Sequence, residues 1–382
     1  MIEYDFAILG GGAAGLSLAL ALARSSLSNR SILVVEKELK QRNDRTWCYW
    51  ARDCDPFDDI RYHAWKKIQF INHGVDLTQP IKPYRYQMIR GIDYYNYMHR
   101  ELAQFHNVRL VNGMVNGWVD GGESVEIRID GEAYRASWVF DSRYKPAELH
   151  IESKKYHHLM QHFRGWEIET IDPVFDPAVA TLFDLRTAQL DGLRFFYILP
   201  FSQRRALIEY TIFSQAVLPQ EEYEQALSDY IQRQLSVKEY QIMEVETGII
   251  PMTDYSFPRR LGQRVLSIGT LGGRVKPSTG YAFSRIQRDT QAIVKSLVRL
   301  NHPFDIPSDP RKSLFYDSLM LDVMVNHPDM VEKILTKMFS RNPIQRAIEF
   351  LDERTQIWED ILLIASLPPV PFLRALGNRL RF

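Results

Sequence analysis

The most constraining feature lies within the first forty residues. Phe6 to Ala23 is an 18-residue run interrupted only by Ser17, and it carries Gly10, Gly12 and Gly15 as G-x-G-x-x-G. A run of this length raises the alternatives of a membrane span or a signal peptide. The preceding Met1-Ile2-Glu3-Tyr4-Asp5 is acidic where a signal peptide carries lysine or arginine. Three consecutive glycines, Gly10 to Gly12, are out of place in a spanning helix. The run therefore reads as a strand over Tyr4 to Leu9, a turn, and an alanine- and leucine-rich helix to about Arg24. A second apolar strand, Ser31 to Val35, ends on Glu36. Strand, glycine turn, helix and strand open a doubly wound parallel sheet.

Each glycine has a physical task. Gly10 permits the tight turn, Gly12 removes a side chain from the path of a pyrophosphate, and Gly15 lets helix and strand approach. The helix N-terminus then offers free N–H groups and a partial positive charge to phosphate. Glu36, 21 residues beyond Gly15, stands where a carboxylate accepts hydrogen bonds from an adenosine ribose. A bound dinucleotide is expected. A second glycine turn, Gly269-Thr270-Leu271-Gly272-Gly273, comes some 250 residues later and leads into another helix. A long cofactor with a split site needs such an arrangement, so FAD is favoured over NAD.

Between these turns the chain changes character. Strands are expected at Val108–Leu110, Ser124–Ile129 and Trp138–Phe140, with a hairpin turn at Gly121-Gly122. From Lys155 to Phe213 aromatic-rich strands recur, and they read as an antiparallel sheet with one face on a cavity. Glu221 to Gln234 reads as an amphipathic helix and Val265–Gly269 as a return strand. The division is 1–150 and 261–300 for an FAD-binding α/β domain of the glutathione-reductase and hydroxylase type, 151–260 for the substrate domain, and 301–382 for a helical region. Lysine plus arginine and aspartate plus glutamate both count 47, so no global field favours nucleic acid. Two cysteines, Cys48 and Cys54, make no disulfide framework and read as reduced thiols of a cytosolic protein.

The late segment Gly272-Gly273-Arg274-Val275-Lys276-Pro277-Ser278-Thr279-Gly280-Tyr281 resembles the G-x-x-x-P-x-T-G-Y stretch of the flavoprotein lycopene cyclases, of the bacterial lycopene beta-cyclase type. Arg45-Thr46-Trp47 resembles the family's threonine-tryptophan segment. Gln161-His162-Phe163-Arg164-Gly165-Trp166 and Phe183-Asp184 resemble two strand motifs. Leu207-Ile208-Glu209-Tyr210-Thr211 is similar to its acidic F-L-E-E-T or I-E-D-T motif, and Glu246-Thr247-Gly248-Ile249-Ile250-Pro251 to its E-x-G-x-I-P segment. The matches run in order from Gly10 to Tyr281. Carried onto this chain, they add Ala14, Lys37, Thr46, Trp47, Gly269, Gly272, Pro277, Thr279, Gly280 and Tyr281 to Gly10, Gly12, Gly15 and Glu36 as FAD-binding residues. Tyr210 replaces the motif's second acid, which puts a carboxylate pair at that spot in doubt. Thr270 stands where flavin hydroxylases place an aspartate, which argues against a hydroxylase.

The reaction so implied is cyclisation of lycopene end groups to β-ionone rings, through γ-carotene to β-carotene, without net redox change. FAD is active in its reduced form, with NAD(P)H as reductant. A carboxylic acid protonates the terminal double bond, so the site must keep a carboxyl protonated and stabilise a tertiary cation. Burial does the first, and aromatic faces contribute about 0.5–2 kcal/mol each to the second. Strand alternation puts Glu209 with Leu207 and Thr211 on one face and Ile208, Tyr210 and Ile212 on the other. Glu209 is the expected acid, the plain alternative being a salt bridge to Arg204 or Arg205. Trp166, Phe196, Tyr197 and Thr211 are the expected cavity-lining residues.

Asp53, Asp55, Asp58 and Asp59 match no acidic cyclase motif and read as a solvated loop. His157, His158 and His162 lack H-E-x-x-H spacing, so no metal is expected. No G-x-S-x-G or Walker loop occurs. Alternatives are a hydroxylase or prenyl reductase on the same fold, or a non-catalytic carotenoid- or flavin-binding protein. Leu314–Met338 and the tail arginines Arg374, Arg379 and Arg381, beside Phe372, Leu373 and Phe382, suit an interfacial attachment, the alternative being a packed helical subdomain. The expected location is cytoplasmic, peripheral on the inner face of the cell membrane, with membrane lipid and neighbouring carotenoid enzymes as partners.

Overall fold

The computed structural model describes residues 2–52, 54–149 and 151–379. The opening run folds as its glycines require. Strand β1 (Ile2–Leu9), helix α1 (Ala13–Ala23) and strand β2 (Ile32–Glu36) form a β-α-β unit with β1 and β2 parallel. Both ends of the chain's middle return to it. Strand β8 (Val108–Asn112) pairs parallel with β2, and β11 (Glu132–Asp141) pairs parallel with β1. A meander of β9 (Val115–Asp120) and β10 (Val125–Ile129) closes antiparallel on the first half of β11, turning at the expected Gly121-Gly122. The last three residues of β11 pair instead with β17 (Val265–Ser267), which continues through the second glycine turn into α4 (Phe283–Leu300). Helix α4 packs on α1. The nucleotide-type domain is thus complete only after residue 283.

The second sheet runs β16 (Tyr240–Thr253), β12 (His158–Thr170), β15 (Arg205–Ser214), β14 (Leu193–Pro200), β13 (Val179–Asp184), β5 (Lys67–Asn72), β6 (Val75–Pro80). This corrects the expected division. Residues 67–80 belong to this second sheet rather than to the domain assigned to 1–150, and β13 pairs parallel with β5, so the sheet is mixed. A third, three-stranded sheet of β3 (Thr46–Ala51), β7 (Arg85–Arg90) and β4 (His63–Trp65) bridges the two, with α2 (Gly91–Leu102) following it.

Both faces of the second sheet are covered. Helix α3 (Gln220–Arg233) lays Tyr223, Leu227, Tyr230 and Ile231 on Trp166, Phe196, Ile208 and Ile212. The other face lies beneath α5 (Arg311–Asn326), α6 (Val331–Arg341), α7 (Ile344–Leu351), α8 (Ile357–Ala365) and α9 (Pro369–Arg379). Leu321, Met324, Ile334, Leu335 and Met338 are buried in this roof. Of the two readings of Leu314–Met338, the packed helical subdomain holds for most of its length, although Leu314 stays exposed. Buried ion pairs fasten the roof to the second glycine turn. Lys276 meets Asp317 at 2.7 Å, Ser278 donates to the same carboxylate at 2.5 Å, and Arg285 binds Glu353 at 2.6 Å. Removing one member of such a buried pair leaves an uncompensated charge and typically costs about 3–5 kcal/mol.

Candidate active site

The two glycine turns face each other across one end of a cavity of about 1040 Å³. Gly10 has φ +108°, a conformation that a side chain would strain. A Cβ built on Gly12 meets nothing within 4 Å, whereas one on Gly15 would lie 1.9 Å from the Gly10 carbonyl oxygen. Gly12 therefore faces open space and Gly15 secures packing. No side chain caps the N-terminus of α1, so its first amides remain free to hold an anion. At the end of β2, Glu36 Oε2 accepts the Gly11 N–H at 2.6 Å. Gly10, Gly12, Ala14, Glu36, Lys37, Thr46, Trp47, Gly269, Thr279, Gly280 and Tyr281 line this end. Gly272 and Pro277 are buried within their turn, the Gly272 carbonyl accepting from Arg259 at 3.0 Å. Thr279 Oγ1 and Gln161 Oε1 are buried here without a hydrogen-bond partner. Such groups suit the polar edge of a planar ring. The cradle fits a dinucleotide extended from the first turn to the second.

The other end of the cavity is apolar and aromatic, with one acidic spot. Leu207, Glu209, Thr211 and Phe213 alternate into it from β15, Phe195 and Tyr197 from β14, and Phe163 from β12. Glu209 is 7% exposed. Burial pushes its carboxyl well above the usual carboxylate range, the neighbouring Glu246 charge adds to this, and the Thr211 hydroxyl partly opposes it, donating to Oε1 at 2.5 Å. Neither Arg204 nor Arg205 reaches Glu209; Arg205 pairs with Glu167, and Arg204 donates to the Ile171 carbonyl. Glu246 of β16 is also raised, chiefly by burial, and accepts from Thr46 Oγ1 at 2.6 Å. Above the acids, Tyr197 donates to Tyr86 at 2.7 Å, and Tyr86 lies 3.4 Å from the Tyr281 hydroxyl. Burial pushes Tyr281 up to about 12, so its phenol stays neutral. The arrangement sets a carboxyl raised by burial against an apolar wall of ring faces, an environment that favours its protonated form.

Two expected lining residues are corrected. Trp166 and Phe196 project from the opposite face, where Phe196 stacks on Tyr230 at 3.8 Å between centroids. Phe195 and Tyr197, the strand neighbours of Phe196, face the cavity, as Thr211 does. Tyr210 also points to α3, stacked on Phe196. A second acid at that position would therefore lie outside the cavity. The second carboxyl comes instead from Glu246, which no spacing within β15 announces. Thr46 lines the cavity as expected, but its hydroxyl serves Glu246. Of the demoted clusters, Asp55 accepts from Tyr49 at 2.7 Å and Asp58 pairs with Arg61 and Arg85, while Asp53 lies outside the described residues. His157 binds Asp254, and His162, lowered by burial to about 4, sits between Tyr223 and Ser214. No group of three metal-ligating side chains occurs among the described residues.

A parallel nucleotide-type domain, a sheet-walled cavity continuous with its glycine turns, and a helical roof define the architecture of the two-domain flavoenzymes. Solved structures share it along nearly the whole chain. A geranylgeranyl bacteriochlorophyll reductase-like protein from Thermoplasma acidophilum superposes with a TM-score of 0.62 at 13% identity, covering 99% of this chain and 100% of its own. The p-nitrophenol 4-monooxygenase of Pseudomonas putida gives 0.59 at 15%, covering 95% and 98%. Within that architecture the chain belongs to the lycopene cyclase family, whose sequence model, described as Lycopene cyclase protein, matches residues 5–377. It is 26% identical over 309 residues to a chloroplastic lycopene beta cyclase of Arabidopsis thaliana, covering 77% of this chain and 60% of that protein's length. It is 23% identical to a lycopene beta-cyclase of Pseudescherichia vulneris, covering 96% of this chain and 95% of the other.

Proposed function

We propose that this chain cyclises the linear end groups of lycopene to β-ionone rings without net redox change, with Glu209 as the acid. The observation that carries the reading is a buried carboxyl, raised by its surroundings, in an aromatic cavity continuous with a dinucleotide cradle. FAD is the proposed cofactor, held noncovalently at the two glycine turns and kept reduced by NAD(P)H. Bound in reduced form, it supplies negative charge beside a developing cation. The chain's own residues do the rest. Glu209 gives its proton to C2 of the terminal C1=C2 bond, and the C5=C6 pair closes on C1. Phe163, Phe195 and Tyr197 present ring faces to the cation and exclude water that would trap it. Loss of the C6 proton completes an isomer of the substrate.

We further propose that the protein works at the cytoplasmic face of the cell membrane, drawing lycopene or γ-carotene from the bilayer. Among the described residues no single helix is long and apolar enough to cross a membrane. Helices α8 and α9, bent by 117° to each other, instead expose Ile357, Trp358, Ile361, Leu362, Val370 and Leu373. The inner side of the same pair, at Ile364, Leu367 and Phe372, lines the cavity. Arg374 and Arg379 add positive charge for anionic lipid. Arg381 and Phe382 lie outside the described residues.

Expression in lycopene-accumulating bacteria tests the reaction. β- or γ-carotene, with one deuterium at the former C2 of each ring in D2O, is the expected product. A pigment gaining oxygen or hydrogen would point to the hydroxylase or reductase alternative, and unchanged lycopene to a binding protein.

A further inference from the structure

Glu209, buried, and Glu246, half-buried, stand on strands that are not neighbours. In the register of β15, β12 and β16, Gly165 pairs with Glu209 on one side and with Glu246 on the other. Adjacent strands lie roughly 4.8 Å apart, so a side chain at 165 would ordinarily stand between the two. Glycine removes it. A Cβ there would lie 3.1 Å from Glu246 Cγ, 3.0 Å from Leu207 Cδ1 and 3.6 Å from Glu209 Cβ. Across this gap both side chains reach the same cavity, and the Glu246 charge adds to the rise of the Glu209 carboxyl. Each has a threonine on its far side: Thr211 donates to Glu209 and Thr46 to Glu246. Both threonines are donors, so a hydrogen bond between the two acids requires a proton of their own. Two like charges so close, with Glu209 cut off from water, do not both persist.

We propose that Glu209 and Glu246 hold one proton between them over Gly165, Glu209 delivering it to the substrate and Glu246 serving as the ionised partner that positions it. This rests on the cyclisation proposed above. The step balances without redox change. The proton leaves Glu209 for C2 of the end group and C1 becomes the cation. The C5=C6 electron pair forms the C1–C6 bond, which moves the cation to C5. The proton lost from C6 returns to the pair, and the C5=C6 bond re-forms. Glu246 is a positioning residue, because it acts through Glu209. Its threonine contact extends the pair to β3, which places Thr46 in the same hydrogen-bonded line.

The test is the position, not the height, of the upper-pH limb of kcat, measured with the FAD-loaded enzyme on lycopene in liposomes. Glu246→Gln removes the anion and is expected to move that limb down by about one pH unit or more. Glu246→Asp keeps the charge one methylene further back and should fall between. Gly165→Ala wedges the pair apart and should shift the limb in the same direction with both carboxyls present. Carboxyl 13C NMR of glutamate-labelled protein without substrate provides a readout independent of turnover. Two widely separated steps are expected in the wild type and one raised step in Glu246→Gln. Variants that only scale the profile, with the limb and the NMR steps unmoved, would overturn the shared proton while leaving Glu209 as the acid. Full cyclisation by Glu209→Gln would instead sink the underlying reaction.

Discussion

The burial that raises the Glu209 carboxyl makes part of the fold's stability depend on pH. A carboxyl raised by burial binds more protons in the native chain than in the unfolded one at any pH between its two pKa values. Stability contributed by that proton is therefore present at low pH and is lost as pH rises through that window. Glu209→Gln keeps the shape and removes the titration. It is expected to raise Tm at pH 8 by about 2–4 °C, the effect of 1–2 kcal/mol on a large domain, with a smaller gain at pH 5. Scanning calorimetry of both proteins across that range checks this, and a gain that grows toward low pH would refute it. Glu209 was legible because it is an acid inside Leu207-Ile208-Glu209-Tyr210-Thr211-Ile212, where alternation leaves no solvent face to hold it. Glu246 was not legible as its partner, because the two meet across an intervening strand. Trp166 and Phe196 misled for a related reason. With both faces of the sheet covered, aromatic residues occupy both, and the pattern no longer says which side is the cavity.

Among the elements, the β1–α1–β2 unit was the most readable, because its glycines answer to local geometry. Gly12 and Gly15 should nevertheless respond oppositely to substitution. Gly12→Val adds a side chain to open space at φ −83°. It is expected to cost about 1 kcal/mol or less in stability while weakening FAD binding by at least an order of magnitude. Gly15→Ala drives a methyl into the Gly10 carbonyl and should cost about 1–3 kcal/mol, with FAD affinity following only through the fold. Thermal melts paired with FAD titration distinguish the two, and equal losses of stability would remove the assigned roles. Strands β5 and β6 were not readable as members of the substrate sheet. The parallel partner of β5, β13, lies more than 100 residues further along the chain, and no turn chemistry links the two. Leu314–Met338 has the leucine and methionine content of an interfacial helix, but only the sheet beneath α5 and α6 decides which way it faces.

At the scale of the whole molecule, α8 and α9 expose a run of large apolar side chains, with Trp358 57%, Ile361 60% and Leu373 65% exposed. Each such side chain is worth about 1.5–3 kcal/mol when fully buried. Replacing these three with serine should weaken liposome binding at least about a hundredfold, while cyclisation of detergent-dispersed lycopene persists. Unchanged flotation would clear this face of the role. The chain's path between domains has a further consequence, for biosynthesis. Helix α1 is buried along almost its whole circumference, and part of that burial comes from α4. At about 5–20 residues per second, translation needs on the order of 15–55 s to pass from α1 to the end of α4. Through that interval the 18-residue run that most resembles a membrane span emerges without its native cover. Nascent chains halted near residue 250 should therefore be retained by factors that bind apolar segments, and chains halted beyond residue 330 released from them.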